Sequence, residues 1–423
     1  MRRTLLFFAL ALFAAGREAA ADPYVIADRA NDAYWRIFDA DASGVIDEPS
    51  EVLLYFAAGN AAGTIGPMNP TAMQSRWDGL TCMGDQINRN VCLTRDLNKD
   101  GDAMDGGESI MAADAGNASG VSFAFPTGAA FDPQGRIYVV NAGNAFGADG
   151  VYRMNDLNGD RDFQDAGEIE VYVGPGALGP GNGPYSPQEL VFAPTDVATL
   201  GFLRNSSADL HGVYRCLDGN SDDDADDPGE FTVFWDVSAA GTPAAAGAAL
   251  ELDAARPGAM YTLQLAAGGV DLLIRLQDQN SDNDAQDAGE SVVVFSTAEA
   301  GFTAIDIASD ADGRVLLTDN SGKKVIALVD NDNDGLFMSP GERTDYFLNS
   351  LASVGDIRQI SRLPAPSPCT GDWNADGATN TLDLNVVLTA FGCTGFNCPG
   401  DLDGDGETDS SDLNIVLTDF GCD

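Results

Sequence analysis

The sequence predicts an all-β six-bladed propeller closed by pairing of its N- and C-terminal strands, followed by a small α-helical domain. Three observations predict it. A thirteen-residue acidic segment recurs six times, starting at 39, 96, 156, 218, 278 and 330. Short alternating or continuous apolar runs flank each copy, and a period of about 50–60 residues is that of a propeller or a related repeat array. After a Pro-rich stretch, 364–368, two twelve-residue acidic segments are each followed by an apolar run of helical length.

The third repeat reads most fully. Gly128–Pro133 is a candidate first strand, Arg136–Val140 a second, Gly150–Met154 a third and Glu168–Val173 a fourth, with the acidic segment between the third and fourth. The same order is expected around Asp330 (Ala304–Ile307, Arg314–Thr318, Lys324–Val329, Arg343–Phe347). Val213–Leu217 and Phe231–Trp235 flank Asp218, and Asp271–Gln277 and Ser291–Phe295 flank Asp278. The first repeat has only Tyr24–Asp28, Ala33–Phe38 and Glu51–Phe56. The unassigned run Asp356–Leu363 supplies its missing strand, because a ring closed in this way leaves no exposed sheet edge. The propeller then spans 22–363. The second repeat, near 66–115, is the least regular. The architecture, with turns such as Asp28-Arg29-Ala30-Asn31, resembles six-bladed propellers of the NHL-repeat and lactonase-like kind.

The acidic segments carry the chemistry. They hold well over half of the 66 acidic residues in a chain of formal net charge −44. Oxygen ligands at alternate positions on a short loop suit a hard divalent cation, Ca²⁺ above all. An EF-hand loop uses positions 1, 3, 5, 7, 9 and 12. In the third copy the first half of that pattern is kept, with Asp165 at 10 and Glu168 at 13 in its second half, and the loop lies between two strands. The expected ligands are Asp39, Asp41, Ser43 and Glu51; Asp96, Asn98, Asp100, Asp102 and Glu108; Asp156, Asn158, Asp160, Asp162 and Glu168. The later copies give Asp218, Asn220, Asp222, Asp224 and Glu230; Asp278, Asn280, Asp282, Asp284 and Glu290; and Asp330, Asp332, Asp334 and Glu342. Gly, Asn or Asp fills position 6, where the chain must turn sharply, except at Arg161.

Segment 369–423 is a duplicated unit: a Cys, a Gly, a twelve-residue loop, an apolar helix and a final Phe-Gly-Cys. Asp372, Asn374, Asp376, Asn380 and Asp383 occupy positions 1, 3, 5, 9 and 12 of the first loop. Asp401, Asp403, Asp405, Asp409 and Asp412 occupy those of the second. Leu382–Phe391 and Leu413–Phe420 are the expected helices. The unit resembles a type I dockerin module, which implies docking onto a cohesin-like or other cell-surface protein. Loop positions 10 and 11 are Thr381-Leu382 and Ser410-Ser411, where well-known dockerins commonly carry Ser-Thr. In an antiparallel pair of such units, the end of one helix meets the start of the other loop. That favours Cys393–Cys398 and Cys369–Cys422 among the three pairings. Cys82 and Cys92 are candidates for a bridge between neighbouring strands of the second blade, and Cys216 reads as a buried small hydrophobe.

Met1-Arg2-Arg3, an apolar run from Thr4 to Ala15 and Ala19-Ala20-Ala21 read as a secretory signal peptide cleaved after Ala21, so a secreted or cell-surface protein is expected. The charge excludes nucleic acid and anionic membranes as partners, and the 44% apolar content excludes disorder of the main body. His211 is the sole histidine, so a His metal cluster is impossible, and no phosphate loop, zinc spacing or thiol–histidine pair is present. Asp28, Asn141 and Asp319, at second-strand ends, are open to both an Asx-turn and a ligand-binding reading. The expected function is a secreted propeller with up to eight Ca²⁺ that binds a glycan or protein and is tethered through its tail in a polysaccharide-processing or cell-surface assembly. The alternatives are a carbohydrate-active or lactonase-like propeller enzyme, and a structural cell-surface protein.

Overall fold

The computed structural model describes residues 23–422 apart from 77, 134, 143–148, 161, 175–186, 194–199, 206–211, 237–246, 266–269, 298–302, 353, 364–368, 374–377, 395–397 and 404–405. Its strands form six four-stranded antiparallel sheets. From the innermost strand outward, blade 1 is Ile357–Arg362, Tyr24–Asp28, Ala33–Ile37 and Val52–Ala57. Blade 2 is Pro70–Ser75, Thr81–Asp85, Asn90–Thr94 and Ser109–Ala113. Blade 3 is Pro126–Phe131, Ile137–Asn141, Gly150–Met154 and Ile169–Val173. Blade 4 is Pro187–Phe192, Leu200–Asn205, Gly212–Leu217 and Phe231–Asp236. Blade 5 is Gly247–Leu252, Ala259–Gln264, Leu272–Gln277 and Ser291–Ser296. Blade 6 is Ala304–Ser309, Val315–Asp319, Lys324–Leu328 and Arg343–Leu348.

The ring closes as expected. Ile357–Arg362 pairs antiparallel with Tyr24–Asp28, aligning Tyr24 with Arg362 and Ile26 with Ile360. The hydrophobic core lies between the blades. Each of six buried clusters draws on two neighbouring sheets, and the one at the seam joins Tyr24, Ile26, Ile357 and Ile360 of blade 1 to Leu316, Val325 and Tyr346 of blade 6. Alternation along each strand explains this, since successive side chains enter the cores on opposite faces of the sheet.

The second blade is regular, and its register corrects one expectation. Cys82 is aligned with Leu93, and Cys92 with Met83. The two cysteines are therefore one residue out of register and point to opposite faces. Both are unbonded and buried, and burial pushes the Cys92 thiol up to about 12. Cys216 is also free and fully buried, in the core between blades 3 and 4.

After the propeller, helices α1 (Thr381–Ala390) and α2 (Ser410–Asp419) form a two-fold-like pair. The Thr379 N–H donates to the Cys422 carbonyl and the Thr408 N–H to the Cys393 carbonyl, so each loop exit is tied to the end of the other helix. Disulfides Cys369–Cys422 and Cys393–Cys398 lie at those same crossings. Among the described residues, no helix is long and apolar enough to cross a membrane.

Candidate metal centres

All six thirteen-residue loops join the third strand of a blade to its outer strand, and so gather at one end of the ring. They share one hydrogen-bonding plan. The position-1 carboxylate takes the position-6 N–H in Gly44–Asp39 (2.7 Å), Gly101–Asp96 (2.8 Å), Asp223–Asp218 (3.0 Å), Asn283–Asp278 (2.9 Å) and Gly335–Asp330 (2.9 Å). That wrap needs a left-handed backbone at position 6, with φ from 73° to 105°, which explains the Gly, Asn and Asp found there. Position 4 is left-handed as well, even where it is Ala42 or Lys99. Arg161, the exception at position 6, lies outside the described residues.

The position-13 glutamates are buried and stitch the loop shut. Glu51 Oε1 takes the Ala40 N–H at 2.8 Å, and Glu230 Oε1 the Gly219 N–H at 2.7 Å. The second oxygen takes the position-10 N–H, as in Asp105–Glu108 (3.0 Å) and Ser339–Glu342 (2.7 Å). Glu168 and Glu290 do the same. These carboxylates are already well supplied with donors.

Positions 3, 5 and 7 turn inward. Asn98, Asn158, Asn220 and Asn280 give Nδ2 to the position-10 Asp at 2.5–2.8 Å, which holds Oδ1 toward the position-5 N–H. In the sixth loop the roles swap, and Ser339 Oγ donates to Asp332 at 2.8 Å. Position 10 is therefore a positioning residue, and the paired change of Asn/Asp to Asp/Ser was its sequence signal. Carboxylate oxygens of Asp39, Asp41 and Glu51 lie within 4.8 Å of one another. So do those of Asp156, Asp160 and Glu168, of Asp222, Asp224 and Glu230, and of Asp282, Asp284 and Glu290. Burial first, and then neighbouring carboxylates, raise Asp162 and Asp224 above their ordinary range. Crowded hard oxygens at this spacing fit a divalent cation. Asp100, Asp102, Asp334 and Ser43 stand at the same loop positions, and Val45 and Leu336 leave the first and sixth loops only a backbone carbonyl at position 7.

The tail loops are built like helix N-caps. Asp383 and Asp412 are fully buried. Asp383 accepts the Trp373 and Asn380 N–H groups, and Asp412 those of Leu402, Asp403 and Asp409. Asn380 and Asp409 cap the helices at Leu382 and Ser411. Asp401 takes the Gly406 N–H at 3.1 Å, and Asp372 is buried beside Trp373. Asn374, Asp376 and Asp405 lie outside the described residues. The module rests on blade 2, where Arg95 reaches Asp401 at 3.8 Å and Arg76 stacks over Trp373 at 6.0 Å. Replacing Asp376 and Asp405 together by Ala is expected to abolish amide protection in α1 and α2 and leave the propeller strands protected. Loss in the strands too would make the two parts one folding unit.

At the opposite end, Asp28, Asn141 and Asp319 serve as turn caps. Asp28 takes N–H groups from Ala30, Gly355 and Asp356, Asn141 takes that of Phe125, and Asp319 those of Thr303 and Gly322. Asp85 does the same in blade 2. His211 lies outside the described residues.

Three carboxyl groups that the sequence did not single out occupy inner strands of blades 4, 5 and 6. Asp306 accepts the Ile360 N–H at 2.8 Å, capping an inner strand edge that no fifth strand covers. Burial pushes Asp306 up to about 7. Burial and then Asp306 push Glu251 to about 8, and Glu189 is raised for the same reasons. A carboxyl whose folded pKa is raised gives stability present below its ordinary range and lost as pH rises through 7. Asp306→Asn is therefore expected to melt about 2–5 °C above the unaltered chain at pH 8.5, with a smaller gap at pH 5. An equal gap at both would contradict a buried proton there.

No protein-family model matches the chain, and no curated protein matches it. Among solved structures, a chain of a nidogen/laminin complex is similar over 80% of this chain and 97% of its own, with 11% identity and a TM-score of 0.52. A gluconolactonase from Xanthomonas campestris covers 80% and 87% with 14% identity and a TM-score of 0.45. A calcium-binding regucalcin from Agrobacterium tumefaciens strain C58 covers 69% and 81% with 11% identity and a TM-score of 0.42. The first likeness is one of fold alone.

Proposed function

We propose that this is a secreted calcium-binding propeller that binds a glycan or protein, and that a dockerin-like module at 369–423 tethers it to a cohesin-like or other cell-surface protein. The observation that supports the tether is a duplicated apolar pair. Leu388 and Phe391 on the first helical unit are about half exposed, as are Leu417 and Phe420 at the matching places on the second. Val387 and Val416, one residue before each leucine, are fully buried between the helices, so the exposed pairs are not part of that core. The loop carboxylates support the calcium.

A glycan array and a hydrolase screen on the whole chain in Ca²⁺ test the propeller, and capture of a cell-surface partner tests the tail. Leu388→Glu with Leu417→Glu is expected to abolish capture while glycan or protein binding persists. Retained capture would remove the tether. The second reading, a carbohydrate-active hydrolase, draws on Glu251 and Asp306, which hold protons near neutral pH as a general acid must. Turnover in the screen that is lost in Glu251→Gln would establish it over the first.

A further inference from the structure

We infer that each loop fastens its blade to the preceding one, and that cation binding in a loop is coupled to this docking. The inference rests on the calcium reading of the loops. Its basis is a contact that recurs around the whole ring. The position-8 N–H of every loop donates to a backbone carbonyl on the outer strand of the blade before it. The pairs are Ile46–Tyr346 (2.7 Å), Ala103–Tyr55 (2.8 Å), Phe163–Ala112 (2.7 Å), Ala225–Tyr172 (2.8 Å), Ala285–Phe234 (2.7 Å) and Phe337–Val294 (2.8 Å). All six position-8 side chains are buried in the core shared by those two blades.

A second contact holds position 6. Arg153 donates to the Asp223 carbonyl at 3.0 Å and Arg275 to the Gly335 carbonyl at 2.9 Å, each from the third strand of the preceding blade. Arg36 lies against Gly101 in the same way. The preceding blade thus grips positions 6 and 8, while ligand positions 5 and 7 stand beside and between them. The loop's own blade holds positions 2, 3, 10 and 13 through the buried glutamate. A cation drawing positions 1, 3, 5 and 7 together ties the two sets, and such coupling is reciprocal.

The seam is the weakest fastener. Loop 1 docks on blade 6, where Ile46 also forms a parallel bridge with Phe347. It has Ser43 where the other five loops have Asp at position 5, and Val45 at position 7, where the sixth loop, with Leu336, also lacks a carboxylate. Blade 6 presents Ala327 at the strand position where blades 1, 3, 4 and 5 carry Arg36, Arg153, Arg215 and Arg275. The ring therefore opens first between blades 6 and 1 as calcium falls.

Residue-resolved amide exchange of the whole chain across a Ca²⁺ titration tests this. The Gly44 and Gly335 amides report on the loop itself, and the Ile46 and Phe337 amides on its docking. Calcium is expected to protect both pairs, with Ile46 losing protection at a higher residual Ca²⁺ than Phe337. Protection of the glycines with Ile46 and Phe337 unchanged would overturn the coupling and leave the calcium reading standing. No change at any of the four would remove both. Arg275→Met, which leaves every ligand in place, is expected to weaken Ca²⁺ at the sixth loop about tenfold, read at Gly335; an unchanged midpoint would overturn the coupling.

Discussion

Deleting residues 356–423 is expected to leave a propeller that aggregates or melts far below the intact chain, whereas deleting 369–423 leaves the ring closed and only slightly less stable. The first deletion removes the innermost strand of blade 1 and strips Ile357, Ile360 and Leu363, all buried, from the cores at and beside the seam. At about 1.5–3 kcal/mol for each buried side chain, the loss is roughly 5–9 kcal/mol, comparable with the whole stability of a typical domain. It also bares the edge of Tyr24–Asp28 for pairing with another chain. Among the described residues, the second deletion removes the contacts of Trp373 and Asp401 with Arg76 and Arg95 and of Thr394 with Gly159. Thermal melts and light scattering of both truncations check this, and similar melting with both monomeric would contradict strand-exchange closure.

Chelation is expected to lower the melting temperature of both propeller and tail. A ligand bound by the native state alone adds about 1.4 kcal/mol per site at ten times its Kd, so six propeller sites give roughly 8 kcal/mol. Extracellular sites bind at about 10⁻⁴–10⁻³ M, so millimolar calcium is the working range. Calorimetry in calcium and in excess chelator measures the shift. An unchanged melt would show that the loops fold without metal, as solvated acidic turns held by their glutamates.

Much of this was legible because the repeat is local. The strands Tyr24–Asp28 and Gly150–Met154 carry alternating or continuous apolar runs beside a fixed loop, and their bounds follow from the residues themselves. The tail cysteine pairing followed from the antiparallel arrangement of two like units. What escaped was set by partners distant in the chain. Register between strands decides that Cys82 and Cys92 face apart, and no single strand reveals it. The inner-strand carboxyls Glu189, Glu251 and Asp306 belong to three different blades, and only the packing of neighbouring inner strands brings them together. The docking position was visible in principle. Ile46, Ala103, Phe163, Ala225, Ala285 and Phe337 are apolar at one fixed place in loops that are otherwise polar, a pattern that metal ligation alone does not require.

Calcium stoichiometry, measured by equilibrium dialysis of the intact chain with the bound metal counted, bears most directly on the loops as cation sites. Up to eight ions per chain are expected, the count falling by one in Asp278→Ala and by two when 369–423 is removed. A count of none or one at millimolar free calcium would contradict it.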